Sequence, residues 1–133
     1  MKHLPKHLRP RWRYLSVGLE TPPGESVPRR SFQRECWYAA QNLLGDPGSA
    51  AADLTVVAFE FDGSGGGTTG STDEAGAEGE FGEALVRVRR GETDPARAAL
   101  ACIDCIDDVP VGVHVRGVSG TIRAARNSFL ELA

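Results

Sequence analysis

Between Phe61 and Glu83 the chain all but stops offering anything to bury. Asp62 to Gly82 holds eight glycines and five acids (Asp62, Asp73, Glu74, Glu78, Glu80), with no Lys or Arg. Such a segment cannot hide enough apolar surface to offset its chain entropy, so it reads as a disordered, acidic, glycine-rich loop. Its flanks are what constrain the fold. Leu54 to Phe61 is rich in Val and Phe, and Glu83 to Arg90 alternates Ala84, Val86 and Val88 against Leu85, Arg87 and Arg89. Strand signals on both sides make the loop an insertion in a β-hairpin, not a boundary between domains. The 133 residues are therefore expected to form one domain, 1–133, carrying a basic N-terminal tail (1–10) and the loop (62–82).

Two further strands and three helices complete the pattern. Arg11 to Glu20 places Arg13, Leu15, Val17 and Leu19 on one side and Trp12, Tyr14, Ser16 and Gly18 on the other. A helix is expected from about Arg29 to Leu44, with Pro28 near its start and Gly45 placed to stop it. Phe32, Cys36, Ala39 or Ala40, and Leu43 form its apolar stripe, widened by Trp37 and Leu44. Thr93 or Asp94 caps a second, short helix with Pro95 at its first position and Ala96, Ala99, Leu100 and Ile103 on one face. Val111 to Val118 is the fourth strand; Gly120 breaks it, and Thr121 to Leu132 forms a last helix. The order β, α, β, β, α, β implies an α+β fold. It is the split βαβ (ferredoxin-like, RRM-like) arrangement, an antiparallel sheet with two helices on one face, here followed by a C-terminal helix. The opposite face is expected to stay open.

Composition narrows the function. With 41% hydrophobic and 25% charged residues the chain matches ordinary soluble domains, not a membrane span. Met1 to Trp12 has no apolar run and so no secretory signal, which points to a cytoplasmic protein with three reduced cysteines. No Ser-His-Asp set, Walker loop or dinucleotide fingerprint is present, and His114 stands alone in a strand, so catalysis by this chain is not expected. Cys102 and Cys105 form a CxxC, but a zinc site would need two more ligands. Cys102 reads as a small buried apolar residue and Cys105 as a turn residue.

The basic residues say more. Thirteen of the fifteen are Arg, and outside the acidic loop the net charge is positive. Arg presents a planar fork that suits phosphate and stacks on flat rings. The tail supplies Lys6 and Arg9 and runs through Arg11 and Arg13 into a strand whose Trp12 and Tyr14 point to one side. Arg87, Arg89 and Arg116 alternate outward on two other strands, so the fold gathers them on the same face. Charge interleaved with rings is what single-stranded RNA recognition requires, the charge for phosphates and the rings for bases. The competing reading packs Trp12 and Tyr14 under the terminal helix or against a protein partner, and the residues leave the two readings equal.

Four blocks in order carry a resemblance. They are Leu8-Arg9-Pro10-Arg11-Trp12-Arg13-Tyr14-Leu15, the Phe32 to Gly45 helix, Val86-Arg87-Val88-Arg89-Arg90-Gly91, and Gly117-Val118-Ser119-Gly120-Thr121-Ile122-Arg123. Together they resemble the archaeal ribonuclease P protein component 2 family over nearly the whole chain except 62–82. The resemblance implies a non-catalytic subunit of a ribonucleoprotein endoribonuclease that removes 5′ leaders from precursor tRNA. Catalysis and Mg²⁺ would then belong to the RNA, with no cofactor in this chain. The partners it implies are ribonuclease P RNA, precursor tRNA as substrate, component 3 as direct partner and the other protein components, with no membrane. On this reading Lys6, Arg9, Arg11, Arg13, Arg87, Arg89, Arg90, Arg116 and Arg123 are the candidate RNA contacts. Trp12 and Tyr14 are candidates for RNA stacking or for the partner interface. Two other classes stand beside it: a small-molecule-binding regulatory module on the same fold, and a thiol or zinc protein built on Cys102-Cys105.

Overall fold

A computed structural model describes residues 11–61 and 79–128. Lys6, Arg9, most of the 62–82 loop and the expected end of the last helix lie outside the described residues. The elements run β1 (Trp12–Thr21), α1 (Arg29–Ala52), β2 (Thr55–Phe61), β3 (Glu80–Arg89), α2 (Thr93–Ala101), β4 (Cys105–Ile106), β5 (Val109–Pro110), β6 (Gly112–Ser119) and α3 (Ile122–Ser128). The four long strands pair antiparallel in the order β2-β3-β1-β6, as the split βαβ arrangement demands. Phe61 lies opposite Gly82, so the 62–82 segment does interrupt a pair of neighbouring strands. Its last three residues already belong to β3, with Glu80, Phe81 and Gly82 paired to Thr21, Glu20 and Leu19.

One face of the sheet makes the core. Leu15, Val17 and Leu19 of β1 and Ala84, Val86 and Val88 of β3 are buried against Phe32, Cys36 and Ala40 of α1 and Ala96, Ala99 and Leu100 of α2. Period two on the strands meets period 3.6 on the helices there, as the alternation required. Burial, and then the neighbouring Glu35 charge, push the Cys36 thiol well above its ordinary range, so it is an inert core group.

Several expectations are corrected. Gly45 does break the first helix, with φ 78°, but a further short segment follows at once, because Pro47 near its start needs no N–H partner. Leu43, expected in the buried stripe, is 47% exposed. It rims a groove of about 280 Å³ between α1 and the turn after α2. The second helix starts at Thr93, with Glu92 in the capping position and no side-chain cap. Cys102 is exposed, not buried, because α2 ends at Ala101 and the apolar period does not reach it; Cys105 is exposed in β4. The small β4–β5 hairpin was not legible. Its two central residues, Asp107 (φ 53°) and Asp108 (φ 69°), both take the left-handed conformation of a two-residue hairpin turn without a glycine. The Asp107 carboxylate accepts hydrogen bonds from the Ser31 hydroxyl and, at 2.8 Å, from Arg34, which tie that turn to α1.

The face expected to stay open is partly covered. Helix α3, started by Thr121 whose hydroxyl accepts the Ala124 N–H at 3.1 Å, folds back over it. Its Ala125 packs on Leu85, with Tyr14, Val57 and Ala58 around them. Ser16 and Leu85 are fully buried as a result, and the Ser16 hydroxyl has no partner among the described residues.

Candidate nucleic-acid interface

Strand register decides which of the candidate residues meet. Trp12 lies opposite Arg89, and Tyr14 opposite Arg87, so all four project from the face away from the core. The Arg87 guanidinium carbon sits 4.0 Å from the Trp12 ring centroid and that of Arg89 sits 5.3 Å from it. A ring attracts a cation through its quadrupole without neutralising it. Arg89 also approaches the Asp53 carboxylate at 3.5 Å, both side chains being substantially exposed, so that pair holds the charge only weakly. Among the described residues the Nε atoms of Arg87 and Arg89 are buried without a hydrogen-bond partner.

The neighbours enlarge this end of the sheet. Arg11 precedes β1 and Arg90 follows β3; both are exposed, and the Arg90 N–H donates to the Arg11 carbonyl at 2.9 Å. Arg13 belongs by alternation to the core side, yet its guanidinium donates to the Trp12 carbonyl at 3.3 Å. Ser119, at the end of β6, pairs with Tyr14 and leads within a few residues to exposed Arg123 in α3. Arg11, Arg13, Arg87, Arg89 and Arg90 thus share the edge where β1 begins and β3 ends. The two rings differ there. Trp12 lies under the arginines, whereas Tyr14 also packs into the small cluster beneath α3, the packing role that the sequence left open.

Arg116 is set apart. The pairing of β1 with β6 shifts register between Ser16 and Val17, which leaves Arg116 as the extra residue of a bulge. Its guanidinium lies across Gly18, where a Cβ would come within 2.8 Å of Nη2, and Nη1 reaches the Glu83 carboxylate at 2.7 Å. Gly18 lies six positions from Trp12 along β1, roughly 20 Å.

The Arg–Trp stack itself was not legible in the sequence, since alternation fixes faces but not which residues stand opposite. Among the described residues no group of three or more His, Cys, Asp or Glu side chains could hold a metal ion. Cys102 and Cys105 line the groove beside Leu43 with Glu35 and Asp104. Among the described residues no helix is long and apolar enough to cross a membrane.

Comparison with known proteins places the whole fold in a family. The model of the family described as Rpp14/Pop5 matches residues 13–130. The chain is 56% identical over 132 residues to a protein of Haloarcula marismortui named ribonuclease P protein component 2, covering 98% of this chain and 71% of that one. A protein of the same name from Halorubrum lacusprofundi is 55% identical, covering 100% of this chain and 74% of that one. A more distant one, from Methanosarcina mazei, is 28% identical over 98% of this chain and 94% of its own length.

Proposed function

The chain belongs to the Rpp14/Pop5 family, and on that premise we propose that it serves as a protein subunit of ribonuclease P, in the maturation of tRNA. The particle is an endoribonuclease that removes 5′ leaders from precursor tRNA. Its RNA holds the catalytic centre and the Mg²⁺ ions, and this chain supplies no catalytic residue. Its part is to bind and support that RNA, in the cytoplasm, paired with component 3 and beside the other protein components.

The observation that carries the RNA-binding part is the end of the sheet where Arg87 and Arg89 stand over Trp12 with their charge left available. Arg11, Arg13, Arg90 and Arg123 extend this basic end, and Lys6 and Arg9 precede it in the sequence. Phosphate recognition needs guanidinium groups that are held in place but not neutralised. The readings as a small-molecule module or a thiol or zinc protein are not favoured, since the relatives at high identity carry the component 2 name.

Reconstitution tests the proposal. The purified chain should leave precursor tRNA intact with Mg²⁺ present. Leader removal should appear when ribonuclease P RNA and the partner proteins are added, and fall when this chain is omitted. Cleavage by the RNA-free chain, or full activity without it, would overturn the proposal.

A further inference from the structure

We propose that Trp12 is a positioning residue for the phosphate-binding arginines and not a platform for an RNA base. The inference deepens the RNA-binding reading above and rests on it. An exposed Arg samples many rotamers, and ordering it on binding costs free energy. A carboxylate partner would order it but cancel its charge, as Glu83 does for Arg116 at 2.7 Å. An indole face orders the guanidinium and leaves the charge in place.

The geometry fits that role. Trp12 begins β1, and cross-strand pairing sets Arg89 directly opposite it and Arg87 one diagonal step away, within reach of a long side chain. Both guanidinium carbons lie near the ring, at 4.0 and 5.3 Å. Among the described residues the Nε of each arginine is buried without a partner, so hydrogen bonds at those atoms do not fix the side chains. The ring fixes Arg87, and it fixes Arg89 together with the weak Asp53 contact at 3.5 Å. A face already stacked by Arg87 at 4.0 Å offers no room for a base unless the arginine leaves. Aromatic contact here therefore acts through phosphate recognition.

Counterion release separates the two roles. Losing a base stack lowers affinity but leaves the number of neutralised phosphates unchanged. Losing the arginines' position lowers that number, and the salt dependence becomes shallower by about 0.9 in slope on duplexes and about 0.7 on single strands for each phosphate lost. The full chain would be titrated across a KCl series with two probes. One is ribonuclease P RNA; the other is linear inorganic polyphosphate, which carries charge and no bases. Trp12→Leu keeps the apolar bulk of this half-buried strand position and removes the π face. It should weaken binding to both probes by about tenfold, the scale of one charge-assisted contact, and make the RNA salt slope shallower by one to two phosphates. Trp12→Phe, which restores a π face, should recover most of both effects, which a merely structural defect would not produce.

If Trp12→Leu weakens RNA binding alone, with polyphosphate affinity and salt slope unchanged, the ring stacks on bases and the inference is overturned. It is equally overturned if Trp12→Leu binds both probes like the wild type while Arg87→Ala does not. If Arg87→Ala and Arg89→Ala both keep wild-type affinity and slope for RNA, the RNA-binding reading itself fails at this site and takes the inference with it.

Discussion

The sheet face away from the core uses arginine differently at its two ends. At the far end Arg116 crosses Gly18 to meet the Glu83 carboxylate at 2.7 Å. Where β1 begins, Arg87 and Arg89 rest on the Trp12 ring, and among the described residues a carboxylate approaches just Arg89, at 3.5 Å. Both arrangements order a long side chain. One spends the positive charge inside the protein and the other keeps it for a ligand. Counting arginines on a face therefore overstates the binding surface; what each guanidinium leans on decides whether its charge is available. Between the two ends lies a third zone, Ser16 and Leu85 under α3, which contributes packing.

The sharpest way to break this comparison is to remove both arginines of the Trp12 end. Arg87→Ala with Arg89→Ala should weaken affinity for ribonuclease P RNA by about a hundredfold and reduce the salt slope by about two phosphates. The fold should persist, because both side chains lie outside the main core. Equilibrium binding over a salt series, with a thermal melt as control, reads both effects. Wild-type affinity in the double variant would erase the proposed distinction between the ends.

Leu85→Ala sharpens the comparison from the middle zone. Leu85 is fully buried, but its cover is a helix of seven residues, so the site can partly collapse. The expected loss is about 2 kcal/mol of stability, at the low end for a buried leucine. Denaturant unfolding would measure it, and the salt slope for RNA should not change. A change in slope with little loss of stability would mean that α3, and not Trp12, arranges the arginines.

Much of this was legible in the sequence, and the failures share a cause. Strand alternation correctly put Trp12, Tyr14, Arg87 and Arg89 on one face and Leu15, Val17, Leu19, Val86 and Val88 on the other. Element order gave the topology, because few sheets connect four strands and two helices in that sequence without crossing. What alternation cannot see is a bulge. One extra residue between the partners of Ser16 and Val17 makes Arg116 the bulge residue, and a glycine at position 18 then lets it lie across the strand. Nor can local pattern say where a terminal helix docks: Thr121 and Gly120 mark its start, but the Ala125–Leu85 contact is long-range. Cys102 failed for a related reason: residue type suggested burial, but the position lies off the Ala96-Ala99-Leu100-Ile103 stripe, whose last member Ile103 is the one buried beyond the end of α2.

The smallest effect is expected where the sequence alone put a binding residue with equal weight. Arg116→Ala removes an ion pair whose arginine side chain is 39% exposed, so solvent screens part of its strength. Stability should fall by less than about 1 kcal/mol, as for other pairs open to solvent. RNA affinity should stay within about twofold of wild type, since a guanidinium already matched by a carboxylate releases few counterions on binding. Gly18 gives an internal control. A Cβ there would collide with the Arg116 guanidinium at 2.8 Å, so Gly18→Ala should displace it from Glu83. The flexible end of the side chain can move aside, and removing a strand glycine offsets part of the loss. Arg116→Ala should therefore bind RNA much like the wild type, and Gly18→Ala, which frees the guanidinium instead of removing it, should bind no more weakly. If Arg116→Ala instead weakens RNA binding as strongly as Arg87→Ala, the Glu83 pair opens on binding, and the far end joins the interface.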